Sequence, residues 1–182
     1  MDNPFKRLVN HPLALNSSRH YLQLAMSHGG IGPGRRLQAA RAMLVSPLLA
    51  PLRLFERVFY EPRVRAVQMD KPPVFVVGHW RTGTTHLHNL LTQDPNFGFV
   101  STFQTIAPAS FLIGEQTLKP LIARILPRKR HTDNMALSAD SPQEEEFAMC
   151  TLCPHSLYVG WYFPQRMREL FRQYVLFDGV ST

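Results

Sequence analysis

The residues best suited to chemistry lie in one short segment, residues 78–85, which reads Gly-His-Trp-Arg-Thr-Gly-Thr-Thr. It follows an apolar run at residues 74–77 that is typical of a buried parallel strand. Leucines at helical spacing follow it and stop at Asp94 and Pro95. Backbone N–H groups converge where a strand, a loop and a helix meet, and the helix dipole adds positive potential. The segment therefore predicts a site for a phosphate-like anion.

The residue types within this loop suit that role. Gly78 and Gly83 permit a tight turn and a close backbone approach to the anion, while Thr84 and Thr85 offer hydroxyl donors. A nucleotide-hydrolysing P-loop would carry lysine at the position of Thr84. Here the cation is Arg81, two residues before the second glycine.

The run from Arg81 to Thr85 resembles the 5′-phosphosulfate loop of the sulfotransferases, which reads basic-small-Gly-Thr-Thr. The resemblance implies transfer of a sulfuryl group from 3′-phosphoadenosine-5′-phosphosulfate (PAPS) to an acceptor hydroxyl or amine, with no metal. It implies that the amides of Thr82, Gly83, Thr84 and Thr85 hold the phosphosulfate and that Arg81 reaches the leaving phosphate oxygen.

The same resemblance implies a P-loop-type three-layer α/β/α domain with a parallel sheet, at residues 72–182. His86 stands where many relatives have a tryptophan near the adenine, and an imidazole can also stack there. The sequence Gly-Thr-Thr-His-Leu and the glutamate-rich helix downstream are closer to the bacterial-type branch of the family than to its small-phenol enzymes. The acceptor class stays open between a small molecule, a glycan and a lipid.

Further elements follow from patterning. Residues 97–101 are a candidate second strand, and residues 109–126 and 165–174 are candidate helices. Ser141 followed by Pro142, with Glu144 three residues after the serine, predicts a capping box that opens a helix running to about Leu152.

The acidic residues on that helix are the candidates for the general base that must take the acceptor proton. Glu145 is expected on a solvated face. Glu146 precedes Cys150 and Cys153 by four and seven residues, which places its carboxylate on an apolar stripe. Glu146 and Glu144 are the two base candidates, although the capping box also accounts for Glu144. The two cysteines are interpreted as core thiols rather than zinc ligands.

Arg130 and Ser138 have the spacing with which sulfotransferases hold the donor's 3′-phosphate. No apolar strand precedes Arg130, so we favour a stretch, shared with Asp133, that borders the acceptor site. Binding of the donor's 3′-phosphate by Arg130 and Ser138 stays as the less favoured alternative.

Residues 1–71 form a basic, mainly helical leader, with eleven Lys/Arg against four Asp/Glu, whereas residues 72–182 carry nine of each. Its apolar spacing predicts packing onto the main domain, with contact to an anionic membrane surface as the alternative. Scattered basic residues without a recognition motif argue against nucleic-acid binding. Two cysteines and the lack of a recognisable secretory signal suggest the cytoplasm.

Two functional alternatives stay open. The first is a nucleotide kinase or NTPase that binds Mg²⁺ through Thr84 or Thr85, which the missing lysine disfavours. The second is a non-enzymatic protein that binds anionic surfaces through its leader. The resemblance covers residues 72–155, and the family's later strands are not visible in the sequence, so a partial chain is expected.

Overall fold

A computed structural model describes residues 17–31, 36–130 and 135–179, and these residues are mainly helical. The helices, in chain order, are α1 (Ser18–Ser27), α2 (Arg36–Leu48), α3 (Ala50–Phe59), α4 (Glu61–Ala66), α5 (Thr84–Leu91), α6 (Thr102–Ile106), α7 (Phe111–Thr117), α8 (Lys119–Ile125), α9 (Glu145–Leu152) and α10 (Met167–Tyr174). Two 3₁₀ turns, Leu157–Trp161 and Pro164–Arg166, lie between α9 and α10.

The predicted three-layer α/β/α fold with a parallel sheet is wrong for the described residues. None of them belongs to a β-strand, and their β contacts are the isolated antiparallel bridges Ser101–Pro142 and Lys129–Ala136. Residues 74–77 are not helical, but no ladder forms along them, and Val74, Phe75 and Val77 are exposed. A strand exists only through hydrogen bonds to a neighbouring strand, so an apolar run alone does not create one.

The helix predictions agree better with the structure. The helix after the loop is confirmed as α5, and the predicted helix at residues 109–126 is present as two shorter helices, α7 and α8. The predicted start of α9 is wrong: Glu144, not Ser141, is its N-cap residue. A capping box does occur at Ser101, whose hydroxyl accepts from the Gln104 amide while the Gln104 side chain accepts from the Ser101 amide.

Two clusters of buried side chains hold the helices together. The larger cluster joins the first described helix to the C-terminal part of the chain, and its buried members are Tyr21, Leu24, Ala39, Cys150, Val159, Tyr162, Phe163 and Leu170. The smaller cluster lies around α6 and α8, and its buried members are Phe103, Ala107, Ile122 and Ala139. Cys150 is fully buried, which confirms its interpretation as a core thiol.

A buried polar contact joins α3 to α7. The side chain of Glu56 on α3 is buried, and its Oε2 accepts a hydrogen bond of 3.0 Å from the Ile113 amide in the first turn of α7. First-turn amides have no partner within their own helix, and a carboxylate is the favoured group beside them. Across the described ranges, no helix combines the length and the hydropathy that crossing a bilayer requires.

Candidate functional site

The predicted anion-binding loop, residues 78–85, lies at the N-terminus of α5. Gly83 is the N-cap residue of this helix and has φ 93°, and Arg81 also has a positive φ, of 65°. The Thr82 hydroxyl donates to the His79 carbonyl oxygen at 2.6 Å and closes the loop on itself. The loop therefore brings Arg81 and the amides at the start of α5 into one exposed turn.

The geometry of the loop favours both glycines. A Cβ at Gly78 would lie 2.6 Å from Cγ2 of Thr84 and 3.0 Å from Oγ1 of Thr82, so the Thr84 side chain would have to move. The left-handed backbone at Gly83 is one that L side chains rarely adopt. The turn leaves its backbone amides unobstructed by these two residues, and the binding of an anion there stays a prediction.

We expect Gly83→Ala to lower the free energy of unfolding by about 1–2 kcal/mol, because the new Cβ is strained at this φ although it would meet no atom within 4 Å. Gly98→Ala is the matched control, since its Cβ also meets nothing within 4 Å and its φ is not in the left-handed region. Urea unfolding should place Gly98→Ala within about 0.5 kcal/mol of the native chain. Equal losses in the two variants would contradict a left-handed requirement at Gly83.

An aromatic pair joins the loop to the C-terminal part of the chain. The ring centroids of Trp80 and Phe171, which lies on α10, are 6.0 Å apart. The ring of His79 lies 5.4 Å from that of Trp80, and its Nδ1 is 3.0 Å from the Trp80 carbonyl oxygen. His86, the predicted adenine contact, is exposed in the first turn of α5.

The two candidate bases accept hydrogen bonds from residues further along the chain. Tyr158 donates its hydroxyl to Oε2 of Glu144 at 2.7 Å, and Ser156 donates its hydroxyl to Oε1 of Glu146 at 2.8 Å. Glu146 is exposed rather than turned into an apolar interior, and Glu145 is exposed as expected. Sequence spacing gave no signal for these partners, because they lie 14 and 10 residues away across a chain reversal.

The surroundings of the glutamates oppose further negative charge. Burial, and then the hydrogen bond to Glu144, raises the pKa of Tyr158, so its hydroxyl keeps the proton that it donates. Burial raises the pKa of Cys150 to about 12, and the nearby Glu146 carboxylate acts in the same direction. Cys150 is therefore a neutral thiol at neutral pH and not a nucleophile. Phe147, Tyr158 and Trp161 form an aromatic cluster beside them, with Phe147 stacked on Tyr158 at 4.6 Å.

Arg130 and Ser138 lie on either side of a chain reversal. The Arg130 amide donates to the Met135 carbonyl oxygen, and the Ser138 hydroxyl lies 3.0 Å from that of Ser141. Asp133, the residue predicted to join Arg130 beside the acceptor, is outside the described residues.

A cavity of about 410 Å³ adjoins this reversal. Its lining includes Lys119, Arg128 and Ser138, together with Glu115 and Asp140. The hydrogen bond to Asp140, followed by the one to Glu115, raises the pKa of Lys119. The Lys119 ammonium group is therefore paired with two carboxylates. The sequence offered no indication of this cluster.

Comparison with known proteins supports the family that the loop sequence resembles. A model of a sulfotransferase family matches residues 72–167, which contain the loop, α5 and the glutamate helix α9. The chain therefore belongs to the sulfotransferase family.

Two curated mycobacterial proteins are similar to the chain. They are the omega-hydroxy-beta-dihydromenaquinone-9 sulfotransferases Stf3 of Mycobacterium bovis and Mycobacterium tuberculosis, each 38% identical over 130 residues. The aligned segment covers 71% of the chain but 33% of each relative, so the chain spans about a third of the length of the proteins it matches. No solved structure matches the chain.

Proposed function

We propose that this chain carries the 5′-phosphosulfate site of a PAPS-dependent sulfotransferase whose acceptor is a hydroxyl group on an apolar, lipid-like molecule. The observation that carries the proposal is the turn at residues 78–85, where Arg81 and the left-handed Gly83 precede the first amides of α5. The family match includes this turn. The acceptor class is taken from the relatives, which are named for a menaquinone-derived lipid that bears a hydroxyl group.

The residues of the turn fit a phosphosulfate group. Gly78 leaves space against Thr84 that a Cβ would fill, and the amides of Thr84 and Thr85 begin α5, where intrahelical acceptors are lacking. These amides, with the helix dipole, would bind the non-bridging oxygens. When bound, the donor supplies an activated sulfuryl group and a phosphate leaving group.

The chain's own residues then contribute charge and proton transfer. Arg81 would stabilise the negative charge that grows on the leaving oxygen, an effect concentrated in the transition state. Glu146 or Glu144 would accept the proton of the acceptor hydroxyl as that oxygen attacks sulfur. His86 would lie at the adenine side of the donor. Residues 72–182 would act as the donor-binding part and residues 1–71 as the leader.

The proposal is tested with the complete enzyme, ³⁵S-labelled PAPS and a menaquinone analogue that carries a terminal hydroxyl. We expect a labelled, solvent-extractable sulfate ester, and no product from the same analogue without the hydroxyl. ATP with Mg²⁺ should give neither transfer nor phosphate release. Phosphate release from ATP together with no sulfate ester would contradict the proposal and support the NTPase alternative.

A further inference from the structure

Helix α3 is amphipathic, but its apolar side faces outward. Leu54, Phe55, Val58 and Phe59 fall on one side of the helix, and each is exposed, with Leu54 at 63% and Phe59 at 55%. The one side chain of α3 that is buried is the acidic Glu56, at 8% exposure. A helix whose packing is complete shows the opposite arrangement.

This inversion has a structural cause. The buried Glu56 carboxylate accepts from the Ile113 amide, and Arg53 on the same side of the helix donates to the Ser46 carbonyl oxygen. These two polar anchors hold the polar side of α3 against the rest of the chain. They fix the apolar side, on which the Phe55 and Phe59 rings pack 4.3 Å apart, in contact with solvent.

Exposed apolar side chains also follow α3 along the chain, with exposed cations among them. Val64, Val67 and Met69 are exposed in and after α4. The guanidinium groups of Arg57 and Arg65 are largely exposed, and both contact Glu61. Arg63 and Lys71 are exposed as well, so basic side chains outnumber acidic ones along this surface.

We propose that this surface, made of the exposed apolar side chains of α3 and α4 and the arginines beside them, docks on an anionic phospholipid bilayer. Phenylalanine and leucine on one side with arginine beside them are the composition of helices that lie in a membrane interface. The charge is complementary to lipid phosphates, which a bilayer presents at any spacing. A protein partner would need carboxylates placed opposite each arginine, because buried unpaired charges are costly.

The surface lies outside residues 72–167, which the family model matches, but within the longer segment that aligns with the Stf3 proteins. The proposal goes beyond the proposed function and is measured without donor or acceptor, so either idea can fail alone.

The test measures binding of the purified chain to vesicles by sedimentation, with phosphatidylcholine alone or mixed with phosphatidylglycerol. We expect the Phe55→Ser/Phe59→Ser double variant to lower the partition coefficient on mixed vesicles at least about tenfold. Leu121→Ser/Phe177→Ser is the matched control, because both side chains are exposed elsewhere, and it should bind like the native chain.

The charge contribution is tested separately. The Arg57→Gln/Arg63→Gln/Arg65→Gln variant should have a partition coefficient at least about tenfold lower on mixed vesicles and little changed on pure phosphatidylcholine. The control variant Arg124→Gln/Lys129→Gln/Arg168→Gln removes as many exposed cations from other parts of the chain and should retain binding.

A tryptophan reporter gives a readout that does not depend on loss of binding. With the native Trp80 and Trp161 replaced by phenylalanine, Phe59→Trp should shift its emission to shorter wavelength when mixed vesicles are added, whereas Leu121→Trp should not. Native-like binding by the double phenylalanine variant, or no vesicle binding by the native chain, would overturn the proposal. So would a dimer that this variant dissociates in sedimentation velocity, because the surface would then bind a second copy.

Discussion

Replacing Arg81 with alanine is expected to reduce sulfuryl transfer by the complete enzyme at least about a hundredfold, equivalent to about 3 kcal/mol of barrier. The contact that it removes would strengthen as the leaving oxygen gains charge, so the loss should fall on kcat more than on KM. The fold should be unaffected, since Arg81 is exposed and alanine also carries a Cβ at the positive φ of this position. Steady-state kinetics and thermal melting measure the two effects.

Arg124→Ala is the control for this experiment, because Arg124 is exposed on α8 and lies outside the loop. Its kinetics should match those of the native enzyme. Arg81→Lys keeps a charge but not the planar guanidinium, so its kcat should lie between those of the native enzyme and Arg81→Ala. Near-native turnover in Arg81→Ala would remove this residue from the proposed mechanism.

Replacing Glu146 with glutamine should lower turnover about a hundredfold or more, because an amide cannot take the acceptor proton. The Glu146 carboxylate also accepts a hydrogen bond from the Ser156 hydroxyl, so stability has to be measured beside turnover. Glutamine retains a carbonyl acceptor for that hydroxyl, so the melting temperature should change little. A turnover loss without a loss of stability is the expected signature of a general base.

Ser156→Ala separates this role from a structural one. It removes the hydrogen bond to Glu146 and the cap on the Tyr158 amide but keeps the carboxylate, and should cost about 2 kcal/mol of stability with little effect on turnover. If Glu146→Gln and Ser156→Ala show equal losses in both measurements, the carboxylate is structural. A larger turnover loss in Glu144→Gln, which keeps an acceptor for Tyr158, would assign the base to Glu144 instead.

The sequence by itself determined the loop and the helix that follows it. Their register depends on neighbours in the chain: glycine freedom at Gly78 and Gly83, leucines at helical spacing, and Pro95 after the end of α5. The family could be inferred from the same short run, since Arg81 takes the place of the P-loop lysine. Local geometry of this kind is encoded within a few residues.

Tertiary structure decided what lies around these local elements. The apolar run at residues 74–77 predicted a strand, but a strand needs a hydrogen-bonding neighbour that the run cannot specify. The partners of the glutamates, Tyr158 and Ser156, are set by the path of the chain after α9. The outward side of α3 follows from the contact of Glu56 with Ile113, 57 residues away. Contacts at such separations depend on how helices pack, and periodicity within one helix cannot show which of its sides will be buried.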